Sequence, residues 1–390
     1  MNIIPAQRLS HFKTGIFAAL NQRRLELEAK GRKIYDLSVG TPDFLAPESV
    51  TEAISKASAD PHNYGYTLRD IPELIDAVRD YYKRRFGVSI ERDEIVGVHG
   101  TQEGMGHLGM AILNEGDIVL LPDPGYPVFE AGAVLGGGKP VFYPLKRENG
   151  FLPDFDGISP DIAAAAKMMV ISYPYNPVCS VAPDSVYEKA IDFCQKNDII
   201  LIHDNAYSDI IFDGKKGGSF LRFKGAKEQG AEFFSLSKSF NVTGARISFL
   251  IGNRELIDAV KLLRTQYDFG TFLPIQLGAI EALKQPFDGV EKQCEEYRKR
   301  RDALCGGLRS VGWDVPNSQG TMFVWAPIPS GFSSSEEFCV QLMEKAGVVC
   351  TPGSAFGEHG EGYVRFALVL PEDKLREVVS VIDKSGVLKV

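Results

Sequence analysis

No apolar run in the 390 residues approaches the roughly 18 to 20 needed to cross a bilayer as a helix, so a helical membrane protein is not expected. Six cysteines (179, 194, 294, 305, 339 and 350) lie scattered without CxxC spacing, and read as reduced, mostly buried thiols. The six histidines show no metal-ligand spacing, and no metal is expected. Positive charge is also in short supply. A net charge of −8 argues against nucleic acid or an anionic membrane as partner. The opening residues Met1 to Arg8 lack the basic and apolar regions of a secretion signal, so a cytoplasmic location is expected. Internal repeats and low-complexity linkers are absent too.

What is present is an ordinary globular composition, 44% hydrophobic and 24% charged, in a chain long enough for two domains. Between about residues 95 and 252, short apolar runs alternate with helical stretches. The runs are Ile95-Val96, Ile118 to Leu121, Met168 to Ile171, Ile199 to Ile202, Phe233-Phe234 and Ile247 to Ile251. Continuous rather than alternating apolar strands, separated by helices, predict an α/β fold with a mainly parallel sheet covered on both faces. Helices are expected at 15–30, 47–58, 72–85, behind Pro183 and at 372–384, with small-domain strands at 322–325 and 364–367. The expected division is a large domain, 46–285, and a smaller α/β domain made of 1–45 and 286–390.

Ligands of an open parallel sheet gather at the carboxyl ends of its strands. Here the apolar runs end in unusual polar groups: Asp123-Pro124-Gly125-Tyr126-Pro127, Tyr175-Asn176-Pro177, His203-Asp204-Asn205-Ala206-Tyr207 and Ser235-Leu236-Ser237-Lys238. A lysine delivered straight after an apolar strand is a candidate for amine chemistry, because desolvation favours its neutral, nucleophilic form.

With Gly100-Thr101-Gln102, Arg246 and Arg365 added, this set resembles the fold-type I pyridoxal-phosphate enzymes of the class I/II aminotransferase family, over essentially the whole chain. The stretch from His62 to Pro144 looks most like the branch of LL-diaminopimelate, aspartate and alanine aminotransferases. The resemblance implies that pyridoxal 5'-phosphate is held as a Schiff base on Lys238 and that the enzyme moves an amino group from an L-amino acid to a 2-oxo acid, 2-oxoglutarate or pyruvate, by ping-pong transamination. Asp204 would face the ring nitrogen, and Asn176 and Tyr207 the ring's 3-oxygen. Tyr126 would stack on the ring. Gly100, Thr101, Gln102, Ser235 and Arg246 would bind the phosphate, joined by Tyr64 or Tyr66 from the partner of a homodimer. Arg365, with the backbone N–H of Gly40 and with Asn176, would hold the substrate carboxylate.

Three positions depart from the family pattern. Asn176-Pro177-Val178-Cys179 lacks the usual final glycine, Ser248 replaces a common glycine and is expected to be a packing change, and Asp70 stands where a glycine is usual. Glu103 and the segment 268–272 are candidates for shaping the side-chain pocket. Rival readings are a carbon–sulfur β-lyase using the same cofactor and, more remotely, a nicotinamide dehydrogenase. The latter rests on Gly104-Met105-Gly106-His107-Leu108-Gly109, but those glycines begin inside the helix rather than in the strand-to-helix turn the fingerprint requires.

Overall fold

The computed structural model describes residues 1, 3–12, 15–215 and 217–389, the side chains of 15–18 apart. In chain order the strands are β1 (Tyr35–Asp36), β2 (Ile95–Val98), β3 (Ile118–Asp123), β4 (Lys139–Pro144), β5 (Ala166–Ser172), β6 (Ile200–Asp204), β7 (Gly230–Ser235), β8 (Ser248–Gly252), β9 (Phe323–Pro327), β10 (Val348–Val349), β11 (Thr351–Pro352) and β12 (Tyr363–Ala367).

The apolar runs form a seven-stranded sheet in the order β2-β8-β7-β6-β5-β3-β4. Only β8 runs antiparallel to its neighbours, so the other six strands end at one edge and β8 begins there. β7 is buried at every residue, and β5 and β6 nearly so, which is why their sequences are apolar throughout. β4, Lys139-Pro140-Val141-Phe142-Tyr143-Pro144, is not foreseen from the sequence. It carries two prolines and mostly exposed or half-buried residues, and the fold tolerates it because it pairs only with β3 at the sheet's margin.

The helix Thr101–Ile112 lies across the sheet and against the helix Val128–Leu135. A Cβ at Gly104 would come within 2.7 Å of the Phe233 ring, and one at Gly109 would overlap the Gly132 carbonyl. Two of the GxGxxG glycines, Gly104 and Gly109, therefore serve close packing, and all three lie inside the helix rather than in a dinucleotide turn.

At the other margin, β2 leaves Gly97 without a strand neighbour on its outer side. Asp70 fills that place: its carboxylate accepts the Gly97 N–H at 2.7 Å, while Arg264 donates to the Gly97 carbonyl. The aspartate found where a glycine is usual thus covers an exposed sheet edge.

Nearer the C-terminus, β11, β12 and β9 form an antiparallel sheet, with the helices Ser335–Ala346 and Glu372–Ser385 nearby. β1 pairs in parallel with β10, and the Ala367 N–H donates to the Leu37 carbonyl at 2.7 Å, tying the N-terminal segment to this region. No helix among the described residues is long and apolar enough to cross a membrane.

Candidate active site

The common edge of the large sheet collects most of the residues singled out in the sequence. β7 runs into a short helix, Leu236–Ser239, which carries Lys238. The Lys238 ammonium donates to the Gly40 carbonyl at 2.6 Å. Burial lowers its pKa from 10.5 to about 8, helped by the positive charges of Arg365 and Arg246. Gly40 is confined from the other side, since a Cβ there would sit 2.5 Å from the Phe323 ring. The structure thus presents the Gly40 carbonyl to the lysine.

Asp204 ends β6. Burial raises its carboxyl from 3.8 to about 6, against the opposing pull of His203 and the Ala206 backbone N–H. Its Oδ1 is buried and has no hydrogen-bond partner. Tyr207 is buried nearby, edge-on to Phe323 with ring centroids 5.8 Å apart, and burial pushes its phenol well above the usual range. Tyr126 is half-buried in the loop after β3; burial raises its pKa, with Asp204, Arg365 and Arg246 close enough to act on it.

Arg365, on β12, is buried between the rings of Phe323 and Phe356, 4.1 and 4.8 Å from its guanidinium carbon. It donates to Asn176 Oδ1 at 2.8 Å and to the Ser38 carbonyl at 2.9 Å. Its Nε is buried without a partner. Among the described residues no carboxylate pairs with it, although burying a lone cation is costly. Asn176, with its oxygen occupied by Arg365, has its amide N–H groups left to donate elsewhere.

The remaining cluster surrounds the helix Thr101–Ile112. Gly100 precedes it with φ of 90°, and a Cβ there would overlap the Arg246 guanidinium. Arg246 itself adopts φ of 53° just before β8 and has no carboxylate partner among the described residues. The Thr101 hydroxyl is buried without a partner. Gln102 is exposed, so it adds a backbone N–H at the first turn rather than an enclosed side chain. The Ser235 hydroxyl accepts from the Ser237 N–H at 3.2 Å and from the Ser248 hydroxyl at 3.0 Å. Ser248 is therefore a hydrogen-bonding residue, where the sequence suggested only packing.

The remaining sequence candidates, Tyr64, Tyr66, Glu103 and the 268–272 segment, lie apart from this cluster. Tyr64 and Tyr66 are both exposed, and the Tyr64 hydroxyl donates to the Ser58 carbonyl at 2.8 Å. Glu103 belongs to a charged network. It accepts the His99 N–H at 2.8 Å and lies 3.0 Å from His107 Nδ1, while His99 is 2.9 Å from Asp268, itself paired with Arg264 at 3.1 Å. Burial pushes the Glu103 carboxyl up, but the neighbouring His107 and His99 hold it below its ordinary range. Cys179, at the missing glycine, adopts φ of 63° and is buried, so the turn keeps a left-handed residue without having a glycine. Sequence reasoning missed Ser38 and Thr351, which surround Arg365; their contacts cross more than 300 residues (Ser38) or a strand pair (Thr351), and spacing shows neither.

These groups fit pyridoxal phosphate. A buried acid with a free oxygen suits a protonated ring nitrogen. A helix start with Arg246 and two hydroxyls suits a phosphate. A partly neutralised lysine suits an aldehyde.

Known proteins agree. The family model for aminotransferase class I and II matches residues 32–382. An LL-diaminopimelate aminotransferase of Halothermothrix orenii is 41% identical over 384 residues, 98% of each chain, and one of Aquifex aeolicus is 40% identical over 374 residues, 95% of this chain and 96% of its own. Among solved structures, substrate-bound BacF from Bacillus subtilis superposes with a TM-score of 0.94 at 36% identity, covering 98% of both chains. A probable N-succinyldiaminopimelate aminotransferase from Thermus thermophilus gives 0.89 at 32% identity, covering 95% of this chain and all of its own. The chain belongs to the class I and II aminotransferases, and its chemistry is that of a pyridoxal-phosphate-dependent transaminase.

Proposed function

We propose that the donor is LL-diaminopimelate, that the acceptor is 2-oxoglutarate, and that Lys238, Asp204, Tyr207, Asn176, Arg246 and Arg365 carry the reaction in a homodimer. The donor rests on relatives at about 40% identity that are named LL-diaminopimelate aminotransferases. The site assignment rests above all on Arg365, a buried guanidinium with no carboxylate partner among the described residues, beside the amide end of Asn176.

Pyridoxal phosphate, when bound, supplies an aldehyde carbon for the amino group and a protonated ring that withdraws electrons from Cα. The protein's residues do the rest. Arg365 grips the substrate's α-carboxylate with its planar fork. The Lys238 amine, its pKa lowered by burial, would act as the base that takes the proton from Cα and as the acid that gives it back. Asp204, with its free Oδ1, would hold the ring nitrogen in its protonated form. Tyr207 and the Asn176 amide would donate to the ring's 3-oxygen, and Tyr126 would pack on the ring. Gly100, Thr101, Gln102, Ser235 and Arg246 would hold the phosphate.

The dimer reading is supported by an exposed aromatic patch: Tyr64 against Phe272 at 5.3 Å, Tyr66 against Phe269 at 6.0 Å, with Leu68 and Tyr267 also exposed. Tyr66, which makes no hydrogen bond within the described chain, is better placed than Tyr64 to serve a partner's phosphate. The two-domain division is 46–285 against 1–45 with 286–390, and the β1–β10 pairing supports it.

The test is a donor panel. Loaded enzyme is mixed with LL-diaminopimelate, aspartate, alanine and other amino acids, and glutamate formation from 2-oxoglutarate is followed. LL-diaminopimelate should give the highest kcat/KM; a better donor in the panel would overturn the donor and leave the family intact. Pyruvate and ammonia released without an acceptor would point to β-elimination.

A further inference from the structure

Ser248 opens β8 directly opposite Ser235, the two being partners in the antiparallel β7–β8 register, and it is fully buried. Its hydroxyl donates to Ser235 Oγ at 3.0 Å, and the Ser237 N–H donates to the same oxygen at 3.2 Å. A serine hydroxyl has two acceptor positions and one proton. With Ser248 as the donor, both acceptor positions of Ser235 are filled by the protein. Its proton then has no acceptor among the described residues and is free for a ligand at the strand end. Arg246, two residues before Ser248, puts a guanidinium against Gly100 at that same edge.

We propose that Ser248 is a positioning residue for the cofactor phosphate: by donating to Ser235 it leaves that hydroxyl able to act only as a donor toward the anion. The reverse orientation, Ser235 donating to Ser248, would leave the Ser248 proton unsatisfied in a dry sheet and deprive the anion of a donor. With the anion present, the chain Ser248 to Ser235 to phosphate satisfies every group, and each bond polarises the next. Glycine, common at this position in the family, cannot supply the first link. The inference rests on Ser235 being a phosphate ligand, as proposed above.

The experiment titrates apoprotein with pyridoxal phosphate and, separately, with phosphate-free pyridoxal, following the visible absorbance. The proteins are wild type, Ser235→Ala, Ser248→Ala, Ser248→Gly, Ser248→Thr and the double variant Ser235→Ala/Ser248→Ala. Ser248→Ala and Ser248→Gly should weaken pyridoxal phosphate about fivefold, which corresponds to the ~1 kcal/mol of a typical hydrogen bond. Neither should change the affinity for pyridoxal. Ser248→Thr should restore binding. In the Ser235→Ala background, removing the Ser248 hydroxyl should have no further effect. Equal weakening of both ligands, unchanged phosphate affinity, or additive losses in the double variant would each overturn the proposal. If Ser235→Ala itself fails to discriminate the two ligands, the assignment of Ser235 falls, and this inference with it. If Ser235→Ala discriminates and Ser248→Ala does not, only the inference falls.

Discussion

Replacing Asp204 with asparagine should stabilise the apoprotein at alkaline pH while disabling the enzyme. Burial lifts the Asp204 carboxyl from 3.8 to about 6. A carboxyl with a folded value above its unfolded value holds its proton more tightly in the fold. Its contribution is therefore most favourable below about pH 4, is lost as pH rises towards 6, and is fully unfavourable above that. At 1.36 kcal/mol per pKa unit, keeping Asp204 ionised costs the apoprotein about 3 kcal/mol at neutral pH. Asparagine removes the charge but buries an amide whose N–H groups lack partners, a cost of about 1–2 kcal/mol. The net expectation is that Asp204→Asn apoprotein is about 1–2 kcal/mol more stable than wild type at pH 8 and less stable by a similar amount at pH 4. Urea unfolding at fixed protein concentration across that range measures the crossover. A stability difference that does not vary with pH would refute the argument, because it would mean that Asp204 is not carrying a buried charge. The loaded variant should lose most of its transamination, since asparagine cannot hold the ring nitrogen protonated.

Lys238 predicts the opposite slope. Its folded value, about 8, lies below the ordinary 10.5, so the fold gains stability as pH rises between the two. Capture of pyridoxal phosphate, which needs the free amine, should speed up about tenfold per pH unit below 8 and level off above it, as stopped-flow absorbance would show. Arg365→Lys exchanges a planar fork packed between Phe323 and Phe356 for a point charge, and kcat/KM should fall about 100-fold, a loss of 2–3 kcal/mol. Gly100→Ala adds a Cβ that would overlap the Arg246 guanidinium, at a φ of 90° that alanine resists. Affinity for pyridoxal phosphate should drop at least about tenfold, with pyridoxal spared, in the same titration.

The parts legible in the sequence are those where one physical signal is enough. Buried parallel strands must be apolar throughout, so β5, β6 and β7 are readable, and the polar residues that follow each one mark the functional edge. β4 is not readable because an edge strand has no need to be apolar and can carry Pro140 and Pro144. The β1–β10 pairing joins two-residue strands more than 300 residues apart, a contact made by tertiary structure alone. Lys238 and Asp204 are visible as chemistry after a strand, and Arg246 through its short spacing from Lys238 and the family pattern. The Ser248–Ser235 bond was not, because it depends on the register of two antiparallel strands, which residue spacing leaves undetermined.

That register also explains the most compact feature of the site, an arginine only eight residues after the lysine. β7 ends at the functional edge and delivers Lys238. Were β8 parallel to β7, the chain would have to travel the length of the sheet before starting it, and nothing in the connection could remain at the edge. Because β8 runs the other way, the connecting loop starts and ends at the same edge, and Arg246 arrives just before the strand begins. Arg365 comes to the same place from β12. Three cations thus converge on the edge where Asp204 keeps a free oxygen, in a chain whose net charge is −8. Their burial and mutual repulsion are unfavourable in the apoprotein, in keeping with the lowered pKa of Lys238. An anionic cofactor and a carboxylate substrate relieve that cost, so the same arrangement that strains the apoprotein selects ligands carrying two separate negative groups.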